Sequence, residues 1–258
     1  MRHYKILGVK VTCAFMQEIH DKISGIIEHD SPGFVLSSNI HGINHACNDP
    51  RLRNFYNQAD MVPIDGHGVI WGGKILGYNL YERLTWADWV WPLTDYITEK
   101  KYSLFLLGGP EGLAEKVAFR LKAHAPELNI VGMHHGYFQK HGPENDAVLQ
   151  KINDAAPDII WIGMGMPIQE NWLMDNHPKL NVKVYMICGG AFKHMAGLLK
   201  RSPQLFINLH MEWLWLFLQD PKRGYKRYLI GNPLFILNVL REKCGLYRNK
   251  NNSTNEVT

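Results

Sequence analysis

The feature that most constrains this chain is an alternation. Short apolar runs of strand length, most of them closing on glycine or a small polar residue, take turns with longer runs of helical period. Residues 5–11, 33–38, 61–64, 102–107, 129–133, 159–163 and 182–188 read as strands. Residues 15–28, 145–155 and 169–176 read as helices, and Ala114, Val117, Ala118 and Leu121 fall on one helical face. This βαβα rhythm predicts an α/β fold, a Rossmann-like parallel sheet with helices on both faces. In such sheets ligands sit outside the C-terminal strand ends. The clusters Ser37-Ser38-Asn39, Asp65-Gly66, Gly108-Gly109, Gly163-Met164-Gly165 and Gly189-Gly190 all fall at those ends.

A chain of 258 residues suits one large domain or two small lobes. It contains no run of 18 apolar residues, so no membrane-spanning helix is expected. Its first residues are too few and too polar for a secretory signal. Cys13, Cys47, Cys188 and Cys244 form no CxxC pair and read as reduced thiols of a cytoplasmic protein. Charge is uneven. Residues 222–250 hold eight Lys/Arg against the single acid Glu242, a net of +7 in a chain whose total is +4. A basic C-terminal segment on a slightly acidic body points to an anionic partner. From about residue 202 the texture turns apolar and aromatic, then basic. We therefore expect an α/β core over 1–201, a helical basic appendage over 202–248 and a disordered tail over 249–258.

Each motif has two readings. Leu107–Gly112, LGGPEG, fits an anion-cradling turn or an ordinary loop; it lacks GxGxxG spacing and a Walker lysine. GMGMPIQE, residues 163–170, is a good helix start, or a turn that sets Gln169 and glycine N–H groups on a diphosphate or sugar. Asp65 suits a helix cap first, and also a general base whose pKa burial could raise. His41 and His45 are four apart without a third metal ligand, and His134-His135 before Gly136-Tyr137 suggests a pocket lip; no metal site is expected. EWLWLFLQDPKRGYKRY, residues 212–228, reads either as a core helix with a solvated basic turn or as an interfacial patch for anionic lipids. No nucleic-acid-binding motif accompanies it.

Taken in order, nine stretches resemble the WecG/TagA/CpsF glycosyltransferases, glycosyltransferase family 26. They are SSNIH (37–41), AD…DGHGV (59–69), GYNLYER (77–83), LFLLGGPEGLAEKVAFRL (104–121), VGMHHGYF (131–138), PDIIWIGMGMPIQENW (157–172), GGAF…AG (189–197), KRSP (200–203) and the 212–228 segment. The resemblance implies transfer of a sugar, N-acetylmannosamine or a related hexose derivative, from a UDP-sugar to a polyprenyl-diphosphate-linked sugar in cell-surface polymer synthesis. It implies inversion, no required metal or other cofactor, and peripheral attachment to the inner face of the cytoplasmic membrane. The family's base falls on Asp65, its threonine and asparagine on Ser37 and Asn39, and its PxQE glutamine on Gln169. The chain departs from the pattern at His67, Ile168, Lys193 and Leu216, where the family has a small apolar residue, Lys, Asp and Arg.

On this reading the UDP-sugar lies along Gly108, Gly109, Gly136, Tyr137, Gly163, Gly165, Gln169, Gly189 and Gly190, while Asp65, Ser37 and Asn39 serve the chemistry. Arg83, Arg223, Lys226 and Arg227 meet the acceptor's anion and the membrane. A homo-oligomer is left open. So are two other classes: a non-catalytic membrane or polyanion adaptor, and a nicotinamide oxidoreductase, for which the first βα turn lacks the required glycines.

Overall fold

The computed structural model describes residues 1–29 and 32–247, apart from the side chain of Arg223. The tail expected over 249–258 lies outside the described residues. The run 5–11 is two strands rather than one. β1 (Arg2–Ile6) and β2 (Val9–Cys13) form an antiparallel hairpin whose turn, Leu7-Gly8, has positive φ at both residues. α1 (Met16–Glu28) leads into β3 (Gly33–Val35). Four helices follow: α2 (Ile40–Asn48), α3 (Pro50–Gln58), α4 (His67–Ile75) and α5 (Trp86–Glu99). Then come β4 (Leu104–Gly108), α6 (Leu113–His124), β5 (Ile130–His134), α7 (Pro143–Ala155), β6 (Ile159–Gly163), α8 (Ile168–Asn176), β7 (Val184–Ile187) and α9 (Ala191–Met195).

β3, β7, β6, β4 and β5 lie in that order in one five-stranded parallel sheet, the expected Rossmann-like core. The period-2 alternation of a strand splits its side chains between two cores. Phe105, Leu107, Ile160, Ile162, Tyr185 and Ile187 pack on one face, toward α2, α3, α7 and α8. Leu104, Leu106, Ile159, Trp161, Val184 and Met186 pack on the other, toward α1, α5, α6 and α9. Both faces are covered, so the strands read as continuous apolar runs.

The run 61–64 extends this sheet past β3 through isolated bridges. Leu36 N–H donates to Met61 O at 2.9 Å, and Thr12 N–H donates to Val62 O at 2.7 Å. Asp65 N–H then donates to Ser38 O at 2.7 Å. That last bond carries Asp65 to the ligand edge of the sheet, beside Ser37 and Asn39.

After residue 202 the chain is helical: α10 (Gln204–Asn208), α11 (Glu212–Gln219), α12 (Pro221–Gly224), a π-helical turn Tyr225–Ile230, and α13 (Gly231–Lys243). The apolar stretch expected as one run is broken at His210, where φ is +60°. α13 packs on the core through Phe235 and Val239, both fully buried. Its seat on α4 is Gly72, where an added Cβ would stand 2.7 Å from Cζ of Phe235. Gly72→Val should therefore cost about 2–3 kcal/mol and loosen α13. Faster proteolysis within 202–247, with a lowered Tm, is the expected result; an unchanged digest would show that α13 is held elsewhere.

Candidate active site

A cavity of about 860 Å³ opens at the C-terminal ends of β3, the 61–64 run, β6 and β7, roofed by residues from α10 onward. Asp65 is on its wall and is only partly exposed. It does not cap α4. Gly66 occupies the cap position at φ +106°, a conformation that favours glycine, and makes no side-chain cap. The Asp65 carboxylate instead accepts hydrogen bonds from Thr85 and Asn39. Burial raises its pKa above the ordinary aspartate value; those two bonds and the charges of Arg227 and Arg83 oppose the rise without cancelling it. Thr85 starts α5 without capping it, so its hydroxyl is free for this bond. Asn39 does two jobs, since its Oδ1 caps α2 by accepting from Gly42 N–H at 3.0 Å. Ser37 lines the same cavity.

Gln169 is fully buried. Its Oε1 accepts from the N–H groups of Gly165 and Gly189, both at 3.1 Å, and its Nε2 donates to Glu170 Oε1 at 2.9 Å. The sequence reading placed this amide on the substrate. In the structure Gln169 lines the cavity, and its amide also ties the loop after β6 to the loop after β7. Glu170 lies behind it with Oε2 unpartnered, and burial pushes its carboxyl up to about 7.

The cavity gathers Gly165, Gly189 and Gly190 but not the other expected glycines. Gly108 faces Gly163, whose backbone carbon would lie 2.6 Å from an added Cβ. Gly109 N–H donates to Gly163 O at 3.1 Å, and Gly136 N–H donates to Gly109 O at 2.7 Å. These glycines allow close backbone approach between β4, β6 and the loop after β5, and that packing leaves them off the cavity wall. Tyr137 is also off it, with its ring 77% exposed.

Lys226 and Arg227 line the roof. The side chain of Arg223 lies outside the described residues. Arg83 reaches the cavity, but its partner is protein: it pairs with Glu212 of α11. Arg201 pairs with the other oxygen of Glu212 and, at 2.6 Å, with Asp88. His67 Nδ1 stands 3.7 Å from Glu212, and its ring stacks on His210 at 3.8 Å between centroids. Glu212 is thus the hub that ties α11 to the core, and its carboxyl is pulled down to about 2 by His67, Arg201 and Arg83 against the opposing effect of burial. The sequence reading missed Glu212, Arg201 and Thr85. One signal was available: Glu212 is the sole acid between residues 176 and 219.

His41 and His45 pack edge to face on α2, and no group of three metal-ligating side chains occurs among the described residues. No helix among them is long and apolar enough to cross a membrane. Cys13, Cys47 and Cys188 are buried free thiols and Cys244 is an exposed one.

Comparison with known proteins gives this arrangement a context. Two Staphylococcus aureus proteins, from strains MRSA252 and MW2, are each 28% identical over 240 residues, 92% of this chain and 92% of their own length. Each is named N-acetylglucosaminyldiphosphoundecaprenol N-acetyl-beta-D-mannosaminyltransferase. A sequence model of the Glycosyl transferase WecG/TagA/CpsF family matches residues 4–249. A match over nearly the whole chain shows that this protein belongs to the WecG/TagA/CpsF family of glycosyltransferases.

Proposed function

We propose that the chain transfers an N-acetylhexosaminyl group, N-acetylmannosamine or a close relative, from a UDP-sugar to a sugar carried on a polyprenyl diphosphate. The observation that carries this is Asp65, a desolvated carboxylate on the wall of a large cavity whose roof is cationic. The names of the S. aureus relatives supply the acceptor class. Asp65 takes the proton of the acceptor hydroxyl as that oxygen attacks the anomeric carbon. The bond from that carbon to the UDP oxygen breaks on the opposite face, the bonding pair leaves with UDP, and configuration inverts. Thr85 and Asn39 orient the carboxylate, and its raised pKa makes it a stronger base than a solvated aspartate.

The roof explains access to a lipid-linked acceptor. Leu205, Leu209, Leu218, Leu229 and Ile230 are exposed on it, beside Lys226. Basic residues among apolar ones bind an anionic membrane surface reversibly, which fits peripheral attachment to the cytoplasmic face. UDP release tests the whole reading, with detergent-dispersed polyprenyl-diphosphate N-acetylglucosamine as acceptor and a panel of UDP-sugars. Acceptor-dependent release with one N-acetylhexosamine donor is expected, and it should persist in a chelator. Silence across the panel, with folded protein, would refute the proposal.

A further inference from the structure

Among the described residues, five Lys and Arg side chains line the cavity: Arg83, Lys193, Arg201, Lys226 and Arg227. They are not equivalent. Arg83 and Arg201 are engaged by Glu212 and Asp88. Lys226 and Arg227 belong to the π-helical turn of the roof, next to exposed Leu229 and Ile230, the surface that the transferase reading gives to the lipid-linked substrate. Lys193 alone rises from the sheet edge and is unpaired there. It lies just past Gly189-Gly190 at the end of β7, is half-buried, and makes no side-chain hydrogen bond or ion pair among the described residues. Its backbone is pinned, because its N–H donates to Gly190 O at 3.2 Å and its carbonyl accepts from Leu198 and Leu199. A fixed backbone with a free ammonium facing a cavity is a built anion contact in want of an anion.

The two substrates carry two diphosphates, and the in-line geometry separates them. The base and the leaving group must stand on opposite sides of the anomeric carbon. The charges that act most on Asp65 are those of Arg227, on the roof, and Arg83, which the roof's Glu212 engages. Lys193 is not among the charges that act on Asp65, and it follows the end of β7, among the strand ends where a parallel sheet binds its nucleotide. We propose that Lys193 is a catalytic residue that binds the donor diphosphate and stabilises the charge that builds on departing UDP. This rests on the transferase reading above. As the bond from the anomeric carbon to the phosphate oxygen breaks, that oxygen takes the bonding pair. The ammonium stabilises it with a charge-assisted hydrogen bond and gives up no proton.

The test is calorimetric binding of UDP and of uridine to the full chain and to its Lys193→Ala and Lys193→Arg variants. Lys193→Ala should weaken UDP binding at least tenfold and leave uridine binding unchanged. Lys193→Arg should restore most of the affinity. An unchanged UDP affinity in Lys193→Ala overturns the assignment. So does a loss that appears only with a UDP-hexuronate, since that would place the ammonium on a sugar carboxylate. Wild-type protein that binds no UDP would refute the transferase reading itself, so the two failures are distinct. A Tm equal to wild type confirms that the variants are folded.

Discussion

Asp65→Asn lowers turnover by about two to four orders of magnitude, the usual contribution of a general base. The amide keeps the shape of the carboxylate and still accepts from Thr85, so the fold is retained. Linkage makes the stability expectation specific. The pKa of Asp65 is raised in the folded chain, chiefly by burial. Its contribution is therefore a cost that sets in as pH rises from the unfolded value and is complete above the folded one. Removing the charge should leave Tm at pH 7 unchanged or raise it. In the wild type, kcat/KM should fall on the acid side with a midpoint above the ordinary aspartate range, because only the ionised form accepts a proton. Turnover of the variant within a few-fold of wild type would show that Asp65 is not the base. A clear drop in Tm at pH 7 would make it a structural anchor.

The parts of this site legible in the sequence are those fixed by local rules. The run 159–163 reads as β6 from end to end because a buried parallel strand is a continuous apolar run, here ending in glycine. Asp65 was placed at the sheet edge because Met61–Ile64 reads as a strand, although that segment pairs only through isolated bridges. Local rules also misled. Gly108-Gly109 looks like an anion-binding turn, yet its lack of side chains serves the close approach of β4 to β6. Gln169 does line the cavity, but its bonds to two loops that meet only in the fold could not be read from the sequence. The pairing of Arg83 and Arg201 with Glu212 was illegible for the same reason. Their roles depend on partners as far as 129 residues away in the chain, and no periodicity encodes which distant charge a side chain will meet.

That network carries the second large effect. Glu212 is the shared counterion of Arg83 and Arg201, and its side chain is only 13% exposed. Glu212→Gln keeps its size but leaves Arg83 and Arg201 with only the half-exposed Asp88 as a shared counterion. The carboxyl falls from 4.5 to about 2 in the folded chain, which corresponds to stabilisation on the order of 3 kcal/mol. The sign follows from the depressed value. The contribution is fully present above the unfolded pKa of about 4.5 and is lost as pH falls through about 2. Urea unfolding should therefore show a wide gap between wild type and Glu212→Gln at pH 7 that narrows as the solution is acidified below pH 4.5. The loss should fall first on α11, since Glu212 begins that helix and holds it to Arg83 and His67. Protease cuts near residue 210 and a raised KM for the lipid-linked acceptor should accompany it. Binding of UDP should change less, because Lys193 and the loops after β6 and β7 do not depend on Glu212. A pH-independent gap below about 0.5 kcal/mol would place these ion pairs with ordinary surface pairs, and α13 at Gly72 would then hold the roof on its own.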